Sequence, residues 1–334
     1  MAHTSAFVCF GIATALAVAG ASVHERQAQS GAVAHSAAVT LPANITSLAA
    51  INQSSSVAAG LADGQVAVWN GRDTAPAVVL KPHAARVLAI GSTADGREVW
   101  SVARDGSLAR TLIAPGAQAK SKPVDLGAAP TRAAAFSADG TMLVTGGEFG
   151  EIRVFDTASG ALRRQLRGHR TELQFIAVRP GSTTVASASA EADLRIWDTA
   201  TGREIKLVDS DLSVFALAFS PRDGTLASGG VDRRLTLRDS TTFKAVGELA
   251  LRAPRMVATL AWSQNGRFIA LGDIDDETLS KGGIEVVDAT SRATVASLDT
   301  GRVPADALVF AGDIGMVVGI VGRDLRAWSV ADVK

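Results

Sequence analysis

Side chains suited to acid–base or metal chemistry are few in this sequence. The 334 residues include five histidines (His3, His24, His35, His83 and His169) and a single cysteine, Cys9. One thiol cannot form an intramolecular disulfide, an all-cysteine metal site or a Cys-x-x-Cys-His haem attachment. A histidine-based zinc site needs three or four converging ligands, and three of the five histidines fall in the first 35 residues. A histidine beside an acid is half of a catalytic triad. The missing half would be a serine on a strained turn, and no G-x-S-x-G occurs. These residues predict no enzyme, no cofactor and no metal.

Two other patterns bear on binding. The stretch from Asp273 through Asp275, Asp276 and Glu277 to Lys281 and Gly283 is acidic enough to suggest Ca²⁺. It lacks the twelve-position loop with a central Gly and a terminal Glu, so it reads as a solvated acidic loop. Asn44-Ile45-Thr46 has the form of an N-glycosylation acceptor. Lys and Arg number 33 and Asp and Glu 33, so the formal charge is zero. Nucleic-acid binding leans on clustered excess positive charge, and no nucleic-acid partner is expected.

The N-terminal residues read as a targeting segment. Ala6 to Ala21 carry no charge, and Ala19-Gly20-Ala21 has the form of a signal cleavage site. The run is shorter than the roughly 20 apolar residues of a bilayer span, although no Lys or Arg precedes it. The expectation is a signal peptide over 1–21, a flexible leader over 22–35 and a periplasmic or secreted product with no membrane span. An uncleaved N-terminal membrane anchor is the alternative.

The elements that must carry any site follow from an internal repeat. Seven segments share a turn, alternating apolar residues, an aromatic or its stand-in, and often Asp. They are 63–70, 105–112, 149–156, 191–198, 232–239, 281–288 and 322–329. Their aromatic positions are Trp69, Thr111, Phe155, Trp197, Arg238, Val287 and Trp328, 41 to 49 residues apart. Within each segment the alternation has period two, the signature of a strand with two distinct faces. Asp139-Gly140, Asp223-Gly224 and Asn265-Gly266 are hairpin signals between further strands upstream.

A period of 40–45 residues with this ending resembles the WD40 family, with four strands per propeller blade. The resemblance covers 36–334 and implies an all-β, seven-bladed β-propeller of four-stranded antiparallel blades. The last unit lacks a fourth strand, and Ser36 to Leu41 has no blade of its own, so this N-terminal strand is expected to complete the last blade. The member suggested is an exported, bacterial-type one.

The same resemblance implies roles for particular residues. His83 and His169 match the family's histidine ahead of the innermost strand, and its acid partners match Asp105 and Glu191. Ser189 and Trp197 would complete the buried network around His169. Arg86, Arg104, Arg132, Arg170, Arg233, Arg255 and Arg323 fall in turns that open on the channel face, where peptide partners dock. The function implied is a non-catalytic protein- or peptide-binding scaffold of the cell envelope, as a monomer or a subunit of a complex. The alternative is an exported enzyme or redox accessory subunit with a ligand at the central channel.

Overall fold

The computed structural model describes residues 36–330 apart from 53, 114–120, 127–130, 209–212, 252–254, 276 and 313–314. The expected signal peptide and leader lie outside the described residues.

Each repeat folds as one antiparallel four-stranded sheet, and there are seven. Blade four shows the order: Leu173–Val178 innermost, then Thr184–Ser189, Leu194–Asp198 and, outermost, Arg203–Val208. Alternation decides which residues the sheet buries. In Leu194–Asp198, Leu194, Ile196 and Trp197 are buried, while Arg195 and Asp198 are half-buried. The innermost strand is partly buried, the second is wholly buried and the outermost is mostly exposed, so burial peaks in the second strand and falls toward the rim.

The innermost strand of each blade neighbours those of the two adjacent blades, and the seven close into a ring. All seven carry an irregularity near their start. The register skips Thr46, Leu88, Arg132, Gln174, Phe215, Ala258 and Asp306 in turn. A bulge recurring at one register is part of the architecture, and it sharpens the local twist where the blades converge.

The core is divided rather than central. Among the described residues the buried apolar side chains form seven clusters, one at each boundary between blades. A single blade therefore has two unfinished apolar faces and needs both neighbours. The blades approach closely where the second strand carries glycine. A Cβ on Gly146 would lie 2.5 Å from Leu173 of the next blade, and one on Gly229 would lie 2.6 Å from Val257.

The seventh blade is completed from the other end of the chain, as the sequence predicts. Its own strands are Ala305–Ala311, Met316–Val321 and Asp324–Ser329, and Ala37–Thr40 supplies the outermost one. The register runs from Ala37 opposite Ala327 to Thr40 opposite Asp324. Thr40 Oγ1 donates to Asp324 Oδ1 at 2.6 Å, and Ser36 N donates to Ala327 O at 2.7 Å. Val39 and Leu41 enter the cluster between blades seven and one, so closure adds apolar burial to the hydrogen bonds.

The extra length of the sixth unit lies mainly in longer strands, Phe268–Asp275 and Gly282–Asp288, rather than in a loop. Asp273 is buried there. Arg255 bonds both its carboxylate oxygens, at 2.8 and 3.0 Å, and Gly283 N donates to it at 3.0 Å. Asp275 closes its own turn by accepting from Thr278 N and Oγ1. Among the described residues no three His, Cys, Asp or Glu side chains converge as metal ligands would.

Candidate partner-binding face and the polar networks beneath it

Antiparallel strands alternate in direction, so a blade's second-to-third turn opens on the same side of the ring as the connection into the next blade. This crossover face carries all the arginines singled out in the sequence. Two buried histidine networks lie directly beneath it.

The network in blade four is fully paired. His169 has no exposed side-chain surface, and its Nδ1 lies 2.8 Å from Asp193 Oδ1. A carboxylate can only accept, so Nδ1 carries the proton. Nε2 then accepts from Ser187 Oγ at 2.7 Å, and the same serine oxygen accepts the indole N–H of Trp197 at 2.8 Å. Asp193 Oδ2 accepts from Arg195 Nε at 2.8 Å, and Oδ1 also accepts from Ser189 Oγ. Burial lowers the His169 pKa, opposed by the charge and hydrogen bond of Asp193. The ring is thus held neutral, as the tautomer requires. Gly168 precedes it because a Cβ there would sit 2.7 Å from the indole of Trp197.

One assignment needs correcting. The acid on His169 is Asp193, two residues beyond Glu191, which is exposed in the turn. Ser189 takes part in the network through Asp193 Oδ1, and Ser187 is the further member that joins His169 to Trp197. Strand parity is the physical reason. Asp193, Arg195 and Trp197 share one face at period two, which aims Asp193 at the ring packed on the indole. Counting two and four residues back from Trp197 was the signal that could have found it.

The network in blade two follows the same geometry with different side chains. His83 Nδ1 lies 2.7 Å from Ser107 Oγ, and that hydroxyl donates to Asp105 Oδ1 at 2.7 Å. Asp105 therefore reaches His83 through Ser107 rather than directly. Ser107 and Asp193 both stand four residues before the aromatic position, so one position faces the ring in both blades. His83 Nε2 accepts from Ser101 Oγ at 2.8 Å. Thr111 stands where blade four has Trp197, and its buried Oγ1 finds no partner among the described residues. Burial lowers the His83 pKa, and the Asp105 charge opposes it.

The arginines on the face differ in what surrounds them. Arg132 donates to Glu148 at 2.6 Å and lies 3.6 Å from Glu172, and Arg255 is committed to Asp273. Arg323 donates to the Pro42 carbonyl at 3.4 Å, where the chain ends meet. Arg233 is exposed and holds a left-handed φ of 60° in its turn. Arg104 and Arg170 are exposed with no side-chain bond among the described residues. Arg86 is half-buried, and its Nε is buried with no hydrogen-bond partner among the described residues. Its pKa is lowered by burial and by Arg104, against the pull of Asp306. Asp306 is open to water yet hemmed in by protein, as a side chain at a channel mouth is. That confinement raises its pKa, and Arg86 opposes the rise.

Phe149 lies on the same face, at the turn position where four other blades carry an acid, Asp63, Asp105, Glu191 and Asp232. It is 81% exposed, the most exposed large apolar side chain among those described. Its turn leans on the next connection, since a Cβ on Gly150 would lie 2.4 Å from the His169 carbonyl. Phe149 and Arg170 are therefore neighbours across the boundary between blades three and four.

Residues 160–198 and 205–239 match the family profile described as WD domain, G-beta repeat. These segments lie in blades three to five. The seven four-stranded blades are the architecture that this match implies. It is 25% identical over 183 residues to WD repeat-containing protein VIP3 of Arabidopsis thaliana, covering 51% of this chain and 55% of the plant protein. It is 29% identical over 150 residues to WD repeat-containing protein SL1-17 of Schistosoma mansoni, covering 43% and 50%. It is 31% identical over 100 residues to eukaryotic translation initiation factor 3 subunit I of Neurospora crassa, covering 30% and 29%. The chain spans about half or less of the length of these relatives. All three are eukaryotic, so they lend no support to a bacterial-type, exported member. Among the described residues no helix is long and apolar enough to cross a membrane.

Proposed function

We propose that this WD40 propeller is a non-catalytic platform that captures a protein or peptide partner on its crossover face. One observation carries the reading. Turns and connections from several blades bring Arg86, Arg104 and Arg170 onto one rigid rim, with no carboxylate bonded to them among the described residues. Arginine's planar fork suits bidentate capture of carboxylates, and the residue is enriched at interface hot spots. The two histidine networks have their hydrogen bonds spent inside the blades, so they serve rigidity rather than turnover. Similarity to WD repeat proteins, one of them a subunit of a translation initiation factor, supports a place in a complex.

The test compares the full chain with an Arg104→Glu, Arg170→Glu double variant as bait in extracts of the native cell. A partner held by the wild type and released by the variant, with unchanged circular dichroism, supports the platform. Equal capture by both discards this face.

The sequence further supports export, with cleavage before Ser22 and a cell-envelope or secreted product. N-terminal sequencing of the protein from native cells decides it. A chain beginning at Ser22 supports export, and one still carrying its initial residues in the cytosol overturns it.

A further inference from the structure

The rim arginines are not equivalent, and their differences define a narrower site. Arg132 is neutralised by Glu148 and Glu172. Arg104 on one side of it and Arg170 on the other are exposed without a bonded carboxylate among the described residues. Backbone bonds, one ion pair and a close approach connect these positions in turn. Arg104 N donates to Arg86 O at 2.9 Å, and Thr131 N donates to Arg104 O at 3.3 Å. Arg132 then bonds Glu148, which adjoins Phe149, and Gly150 packs on His169 beside Arg170. The order across blades two to four is cation, exposed aromatic, cation.

We propose that this strip binds an extended peptide segment in which an apolar side chain is flanked on both sides by Asp or Glu. Its apolar residue covers Phe149 and its two carboxylates pair with Arg104 and Arg170. The inference rests on the platform reading and adds the partner's chemistry. Charge complementarity chooses the occupant. Two uncompensated guanidinium groups on either side of a phenyl ring disfavour a basic or purely apolar segment. Leaving Phe149 in water has an energetic cost that burial under an apolar side chain reverses. Arg86 adds to the Arg104 end: its charge lies near Arg104 as well as Asp306, and its Nε has no hydrogen-bond partner among the described residues. The strip's backbone is rigid, because the networks of His83 and His169 fix the connections that carry Arg86 and Arg170. Little ordering cost then falls on the protein side.

The experiment pans a phage-displayed random dodecapeptide library on the full chain. The enriched peptides are synthesised with a fluorescent label and titrated by anisotropy. The expected sequences place Asp or Glu on both sides of an aromatic or aliphatic residue. Phe149→Ala is expected to weaken them by at least about tenfold, and Arg104→Ala with Arg170→Ala by more, as truncated hot-spot residues do. Arg163→Ala, on the outermost strand of blade three, should change nothing. Salt should weaken binding to the wild type more than to the double variant. Enriched peptides without acidic residues, or acidic peptides that bind all variants equally, overturn the strip and leave the platform standing. A library from which nothing binds likewise overturns the strip, while the capture from native extract decides the platform.

Discussion

Replacing His169 with Ala should cost this propeller about 2.5–5 kcal/mol, and the structure shows where each part arises. The ring makes two hydrogen bonds, to Asp193 at 2.8 Å and to Ser187 at 2.7 Å. Asp193 keeps Arg195 and Ser189 after the change, so that bond contributes at the lower end, about 0.5–1 kcal/mol. Ser187 fares worse. Its oxygen still accepts from Trp197, but its own O–H loses its only acceptor in a buried site, at about 1–2 kcal/mol. The vacated space lies against the Trp197 ring, whose centroid is 6.0 Å away. Lost packing there adds about 1–2 kcal/mol. For a domain of this size the total corresponds to a melting temperature lower by roughly 6–15 °C. Urea titration followed by tryptophan fluorescence, with calorimetry alongside, measures it. A loss below about 1 kcal/mol at unchanged m-value would show that the network does not stabilise blade four, and the structural role of His169 would fall.

Further changes test other parts of the molecule. Burial lowers the folded pKa of both His83 and His169. As pH falls through about 6.5, the unfolded chain binds these protons before the folded one does. Stability is then full above that pH and declines as pH drops toward the folded values. Urea unfolding at pH 7.5 and 5.5 should show the decline, and a His83→Gln, His169→Gln variant should show a shallower one; equal slopes would contradict the assignment. Gly229→Val places a side chain 2.6 Å from Val257 of the next blade, and a loss of about 1–3 kcal/mol is expected in calorimetry. Ala192 holds a φ of 66°, so Ala192→Gly should be neutral or stabilise by up to about 0.5 kcal/mol in the same assay.

The ring and its closure were legible because they depend on residues that recur. Trp69, Phe155, Trp197 and Trp328 keep one period, and Ser36 to Leu41 was a strand without a blade. The contents of the histidine networks were less legible. Ser187 and Ser189 lie on one face of one strand, so spacing alone could not choose between them. Glu191 occupies the position of Asp105, yet Asp193 reaches the ring because the strand's parity aims it there. Seven recurrent arginines could be read from the sequence, but not which of them carry a partner. Arg132 meets Glu172 across a blade boundary and Arg255 meets Asp273 across a hairpin, pairings set by packing. In the sequence Phe149 only stands where Asp63, Asp105, Glu191 and Asp232 are acids, and its exposure emerges once the turn is placed on the rim.

The central claim is that the two ends of the chain form one blade and so lock the ring. Cysteines replacing Thr40 and Asp324, in a chain with Cys9→Ser, test it most directly. These residues are opposite one another in the register, and their side chains touch at 2.6 Å. Opposed strand residues lie about 4.5–5.5 Å apart at Cα, within the span a disulfide requires. Mild oxidation is predicted to give a monomer with one intramolecular disulfide and a raised melting temperature that reductant reverses. Thiols that stay free, or that link only separate molecules, would contradict the closure.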